Sequence, residues 1–262
     1  MLGAAIINLS DLPRRSNEVA ADTATMNFRP ADAAKAGLMR LVHSIGIPLR
    51  SALLAAHIRV LAAFSGQTDV VTGYVSNGRP EQLDGDRVLG LFLNTIPVRL
   101  SCAGGRWRDL ALEAFRVERE SFPFRRFPLA EIQRLQKRNP LFEVLFSFTN
   151  FHIYNPLEGK LQILHADGFE ETNFPLVVTC SAATSGEDLK IRFVFDRSQI
   201  STRRAEALLR CWQTVLESMA QDPSLLYQDQ CLLSESEKQL LLFEWNQTFV
   251  EYPRKSVIEF FE

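Results

Sequence analysis

The chain of 262 residues is poor in cysteine and histidine, four of each with no two adjacent, and shows no excess of either charge. Cys102, Cys180, Cys211 and Cys231 stand singly, without a Cys-x-x-Cys pair, which excludes a zinc knuckle or a redox dithiol. Four reduced thiols, mostly in the core, are expected. With 29 Lys plus Arg against 31 Asp plus Glu, the net charge is -2, and no field is present to hold nucleic acid or anionic lipid. The most apolar stretch, Ile45 to Phe64, is interrupted by Arg50, His57 and Arg59, which are costly in a bilayer and natural on an amphipathic helix. Residues 1 to 8 lack the basic cluster and long apolar run of a signal peptide, and Asp11 follows closely. A cytoplasmic protein with neither a membrane nor a nucleic-acid partner is expected.

The common catalytic signatures are also missing. There is no Gly-x-Ser-x-Gly elbow, Gly-x4-Gly-Lys-Ser/Thr loop, Gly-x-Gly-x-x-Gly turn or His-Glu-x-x-His helix. His43 and His57 read as packing or surface histidines, while His152, after the aromatic strand Phe146 to Phe151, keeps a functional option. In His165-Ala166-Asp167-Gly168 a single residue separates histidine from aspartate, and Asp-Gly there reads as a turn. Asp84 and Asp86 around Gly85, and likewise Glu170 and Glu171, read as solvated turn formers rather than paired catalytic carboxylates. Arg125-Arg126 among aromatics reads as a solvated pair with buried ring neighbours, the alternative being an anion clamp.

What is present is an ordinary globular composition, 46% hydrophobic and 23% charged. A chain of this length buries roughly 70 to 75% of its unfolded surface. Residues 1 to 35, punctuated by Pro13 and Pro30, carry no convincing periodic element. Leu49, Leu53, Ala56, Val60 and Phe64 recur at helical spacing between Pro48 and Gly66, predicting a core-packed helix. Strands are predicted at Asp69 to Val75 and towards Leu100, and helices over Trp107 to Glu120 and Pro128 to Lys137. The period then falls to two, predicting strands at Phe142 to Phe151, Leu161 to Ala166, Pro175 to Ala183 and Leu189 to Asp196. A long helix, Thr202 to Gln221, closes this region, and Leu233 to Asn246 forms a separate short helix with a capping box at Ser234 and Glu237. The pattern is α/β, a sheet covered by helices.

Leu89, Gly90, Phe92, Asn94, Thr95 and Arg99 resemble the Ile/Val-Gly-x-Phe-Val-Asn-Thr-x-x-x-Arg signature of nonribosomal peptide synthetase condensation domains. Gln67 to Gly73, Gly78-Arg79-Pro80 and Arg138-Asn139-Pro140-Leu141-Phe142 are similar to further motifs of that family, in the same order. Leu232 to Lys238, Trp245 to Thr248 and Tyr252-Pro253 resemble the linker into an adenylation domain. The family's His-Gln-Asp-x-Pro motif survives here only as Phe124-Arg125-Arg126-Phe127-Pro128, and its His-His-x3-Asp-Gly motif has no counterpart.

The resemblance implies the C-terminal lobe of a chloramphenicol-acetyltransferase-like (CoA-dependent acyltransferase) fold, with a mixed sheet covered by helices. It divides the chain into a connecting segment from a missing N-terminal lobe (1–35), the lobe itself (36–225), and a linker with the start of an adenylation domain (226–262). The implied reaction joins a carrier-bound acyl or peptidyl thioester to a carrier-bound amine, the fragment being inactive alone. An epimerisation-domain lobe and a non-catalytic carrier-docking scaffold are the alternatives. Nothing is expected to bind as a cofactor directly; 4'-phosphopantetheine is presented by partner carrier domains. The other implied partners are the N-terminal lobe and an adenylation domain. Asn94, Gly90, Phe92, Thr95, Ser147 and Asn150 are the implied substrate-channel residues, with Thr149 beside them. Arg79, Arg99, Asn139 and Pro140 are implied structural motif positions, Arg99 as an ion-pair partner. Asn94 has two open readings, a functional one in which its amide donates to the thioester carbonyl or fixes the floor segment, and a turn-forming asparagine that satisfies local backbone groups.

Overall fold

The computed structural model describes residues 6–12, 22–150, 173–182, 189–233 and 235–249. The predicted strand at 161–166, His152, His165 to Gly168, Glu170, Glu171, Ser234, Tyr252-Pro253 and the side chain of Asn150 lie outside them. The chain divides into two units, Met1–Gln230 and Cys231–Glu262.

The first unit is built on a six-stranded mixed sheet in the order β1-β6-β5-β4-β2-β3. The strands are β1 (Thr23–Phe28), β2 (Asp69–Asn77), β3 (Leu93–Ser101), β4 (Val144–Asn150), β5 (Leu176–Ala182) and β6 (Lys190–Asp196). β4 runs parallel to both β2 and β5, and every other neighbouring pair is antiparallel. The helices are α1 (Asp32–Ile45), α2 (Leu49–Ser65), α3 (Trp107–Ser121), α4 (Leu129–Gln136) and α5 (Thr202–Gln221).

Two elements depart from the sequence expectation for residues 1 to 35 as a connecting segment without periodic structure. β1 is an edge strand of the main sheet, its Ala24, Met26 and Phe28 paired with Phe195, Phe193 and Ile191 of β6. α1 begins at Asp32 and buries Ala34, Leu38, Leu41 and Val42, the helical stripe that Gly46 ends. The break expected near residue 225 falls after Gln230, because Arg106 bridges to Leu226 and Tyr227 is buried against Trp107, ring centroids 5.6 Å apart.

α2 is not amphipathic. Eleven of its seventeen residues are buried, so it is apolar on nearly all sides and sits inside the layer rather than on it. His57 belongs to that buried surface, within 5.2 Å of the Phe146 ring and 5.9 Å of Trp212. No single helix among the described residues is long and apolar enough to cross a membrane.

Alternation along the strands fixes the two sheet faces. Thr72 and Tyr74 of β2, Phe146 of β4 and Phe193 of β6 meet the helical layer through His57, Glu118 and Trp212. The opposite face carries Val71, Leu145, Val177 and Val194, which with Leu141 and Phe142 form a second core closed by Leu129, Ile132 and Phe174. Gly73 makes that closure possible: a Cβ there would lie 2.3 Å from Phe142 Cε2 and 2.4 Å from Leu145 Cδ2.

In the second unit, α6 (Glu235–Gln239) runs into a π-turn, Leu240–Glu244, where Asn246 Nδ2 donates to the Leu241 and Leu242 carbonyls at 2.9 and 3.0 Å. This is the short helix expected over Leu233 to Asn246, wound more loosely in its second half.

Candidate substrate-channel wall

At the end of β2 and the start of β3, two irregular segments are joined by side chains donating to main-chain carbonyls. Gly78 N–H donates to Phe92 O at 2.7 Å. Arg79 Nη1 donates to Val88 O at 2.5 Å and Gly85 O at 3.3 Å, and its guanidinium lies 4.6 Å from the Phe92 ring centroid. From the 122–127 crossing, Arg126 Nε donates to Gly78 O at 2.8 Å and Nη2 to Arg79 O at 3.0 Å. Asn94 Nδ2 donates to Arg125 O at 2.9 Å and Phe127 O at 2.8 Å. Gly90 turns within the span at φ 150, a conformation that side chains rarely adopt.

Closing the base of the 78–92 segment leaves its leucines, and Leu93 at the start of β3, outside. Leu83, Leu89, Leu91 and Leu93 are 93%, 97%, 87% and 62% exposed. The neighbouring crossing inverts the expectation for Arg125-Arg126. Arg125 is buried, 3.8 Å from the Phe122 ring centroid and 2.8 Å from the Glu81 carboxylate, while Phe122, Phe124 and Phe127 are exposed. Stacking and pairing stabilise the buried guanidinium.

On the sheet face that carries Leu145 and Val177 the register groups hydroxyls into rows. Ser147 pairs with Thr179, and Thr149 with Ser181. Thr95 lies opposite Val75, one residue beyond the last β2–β4 pair, Tyr74 with Phe146. Ser147 and Thr179 thus share one paired row across β4 and β5, while Thr95 stands on β3, beyond β2. On β6 the rows continue as Arg192 and Lys190, each already engaged with a partner of its own.

Two buried polar groups lie on the helical side. Glu118 accepts from Arg50, from the Ser51 hydroxyl and from Tyr74 Oη at 2.6 Å, tying α3 to α2 and β2. Burial, then the Glu118 charge, pushes the Tyr74 phenol well above its ordinary range. His57 Nε2 lies 3.0 Å from Thr72 Oγ1, which itself donates to Val144 O at 3.0 Å. Thr72 has one proton, so His57 Nε2–H is the donor and Nδ1 is a bare acceptor, buried without a hydrogen-bond partner. His57 is therefore a packing residue satisfied at one nitrogen only, and burial lowers its pKa to about 3.

The expected channel residues separate into two places. Asn94, Gly90 and Phe92 belong to the stitched junction, where both amide hydrogens of Asn94 are committed to carbonyls 31 and 33 residues away. Thr95 and Ser147 belong to the sheet face of Leu145. Arg99 forms a two-pronged pair with Asp69 at 2.8 and 2.6 Å, and that hydrogen bond holds the Asp69 carboxyl below its ordinary range. Asn139 Oδ1 accepts from Gln133 Nε2 at 3.0 Å beside Pro140, leading into the buried Leu141 and Phe142. Sequence reasoning missed Arg126 as a clamp and Thr179 and Ser181 as row members. The alternation of Thr179 and Ser181 within Leu176 to Ala182 was the available signal for the last two.

The family model described as "Condensation domain" matches residues 4–242, and the chain belongs to that family. It is 40% identical over 215 residues to AMB antimetabolite synthetase AmbE of Pseudomonas aeruginosa, covering 80% of this chain and 10% of that protein. Among solved structures it resembles holo-AB3403, a four-domain nonribosomal peptide synthetase bound to AMP and glycine. The TM-score is 0.76 at 17% identity, over 88% of this chain and 19% of that one. The X-domain from teicoplanin biosynthesis matches with TM-score 0.73 and 19% identity, covering 88% of this chain and 54% of that chain. The fold is that of a condensation-type lobe, a mixed α/β sheet with helices. The chain spans a tenth or less of the length of the curated synthetases it matches.

Proposed function

We propose that the chain supplies one lobe of an amide-forming condensation domain, working on substrates tethered to carrier domains through phosphopantetheine arms. The amine nitrogen of one substrate attacks the thioester carbonyl of the other, the C–S bond breaks, and the thiol leaves with the proton that the amine loses. The match of the condensation-domain model across residues 4–242 carries this reading.

The His-His-x3-Asp-Gly motif of the resemblance has no counterpart here, so the role of this lobe is positional. A wall that holds amine and thioester within attack distance can supply up to about 7 to 11 kcal/mol of barrier lowering in ideal cases. The sheet face with Thr95 and Ser147 is the wall in this reading, and Asn94 and Arg79 hold the floor segment rather than touch the reacting atoms. The exposed Leu83, Leu89, Leu91 and Leu93 are the seat of the other lobe, an apolar surface of the kind that marks an interface.

The test is amide formation followed by mass spectrometry with carrier-loaded donor and acceptor. This chain alone gives no product, and fusion to a lobe that carries the paired-histidine motif restores it. Product from the isolated chain overturns the positional role.

A further inference from the structure

A carboxylate meets a guanidinium most completely through the fork made by Nε and one terminal nitrogen. Arg99 shows that fit in this chain, its Nε and Nη2 both reaching Asp69, at 2.8 and 2.6 Å. Arg125 has the same fork half filled. Its Nη2 lies 2.8 Å from Glu81 Oε1, whereas its Nε, on the same edge of the guanidinium, is buried without a hydrogen-bond partner among the described residues. The two ends of the pair are also unlike. The Arg125 side chain is 8% exposed and stacks on the Phe122 ring, while that of Glu81 is 68% exposed on the 78–92 segment. Arg126 fixes the carbonyls of Gly78 and Arg79 shortly before Glu81 and so limits its reach. A buried donor left unpaired is costly, and a carboxylate seated on both prongs would remove that cost.

We infer that the Arg125 fork is a carboxylate-binding site in which Glu81 is a displaceable occupant. An untethered carboxylate takes both prongs, and Glu81, once released, frees the outer part of the 78–92 segment from the 122–127 crossing. The inference stands apart from the condensation reading, because it needs only the crossing and the segment. The ligand class is a small organic acid with an apolar body. Eviction of Glu81 by a neutral molecule would leave a buried charge unpaired, which is strongly unfavourable, whereas exchange of one carboxylate for another keeps the pair. The planar fork matches the two oxygens of a carboxylate. Phe122, whose ring covers the guanidinium, is itself half-exposed and offers ring surface to the rest of the ligand. Glu81 competes from within the chain at an effective concentration on the order of millimolar, so the free acid binds weakly while Glu81 is present and more tightly once it is removed.

The test uses the native 262-residue chain, labelled with nitrogen-15 and titrated with phenylacetate and with phenylacetamide, which has nearly the same shape without the charge. Phenylacetate is expected to shift the Arg125 Nε–H resonance saturably below about 100 mM, with phenylacetamide at least about 10-fold weaker. Trypsin cleavage after Arg87 is expected to rise about 2- to 5-fold with the acid and to stay unchanged with the amide. Glu81→Gln removes the resident carboxylate and is expected to tighten phenylacetate by about 10-fold. Arg125→Lys, which keeps the charge without the fork, weakens the acid to the level of the amide. The comparison of acid with amide on the native chain needs no variant, so a variant that fails to fold leaves the test standing. Equal response to acid and amide, or no saturable response at Arg125, overturns the inference. A response at Arg125 with unchanged cleavage after Arg87 overturns the release of the segment.

Discussion

At the scale of single residues, His57 and Asn94 make separable predictions. His57 has a pKa of about 3 in the fold against 6.5 unfolded, so the unfolded chain binds more protons throughout that interval. Its contribution to stability is complete above pH 6.5 and is lost progressively as pH falls towards 3. Urea unfolding at pH 7.5 and pH 5 is expected to differ by about 2 kcal/mol, at no more than about 1.4 kcal/mol per pH unit below the unfolded pKa. His57→Gln is expected to flatten that dependence while lowering stability at neutral pH. The carboxylates held below their ordinary range, such as Asp69 and Asp196, act at lower pH and leave this window to the histidine. For Asn94, loss of two amide hydrogen bonds to the carbonyls of Arg125 and Phe127 is expected to cost about 1 to 2 kcal/mol in Asn94→Ala, read as a shift in urea midpoint. Asn94→Asp should behave like the alanine variant, because a carboxylate cannot donate.

At the scale of elements, Arg126 holds the 78–92 segment from outside it. Arg126→Ala is expected to speed exchange of the Gly78 amide about tenfold, for a loss near 1.4 kcal/mol, and to expose Arg87 to trypsin, with β5 amides unchanged. Lysine should restore only part of the protection, since one ammonium lacks the fork that reaches two carbonyls. Most elements were legible in the sequence because their signals are local: α3, α5 and β6 repeat at 3.6 or 2 residues within one window, α2 is an apolar stretch between Pro48 and Gly66, and β2 is a β-branched run. The stripe of α1, Ala34, Leu38, Leu41 and Val42, is equally regular, whereas β1 rests on Ala24, Met26 and Phe28 interleaved with Thr25 and Asn27, a weak signal that pairing with β6 completes. The site was less legible. Arg126 bonds carbonyls 47 and 48 residues away, and the hydroxyl rows arise only once β4 is laid between β2 and β5. Neither relation has a local spacing from which to read it.

At the scale of the whole molecule, apolar side chains at one end of the sheet face water. Leu89 and Leu91, 97% and 87% exposed, are expected to drive self-association, seen by light scattering as a mass that rises with concentration. Leu89→Ser with Leu91→Ser should lower that mass towards the monomer without changing the urea midpoint by more than about 0.5 kcal/mol. The sheet that carries these loops has one narrow place. Between β2 and β4 only Gly73 with Leu145 and Tyr74 with Phe146 are paired, supplemented by the Thr72 hydroxyl on Val144 O, whereas β2 with β3 and β4 with β5 are paired along their full lengths. Mechanically, the sheet is two plates joined by a short weld. A pulling force applied across it, as in a single-molecule stretching trace, is expected to part β2–β3 from the other four strands as the first step, and Thr72→Val to lower the force of that step. Strain transmitted into the sheet from either side would gather along the same line.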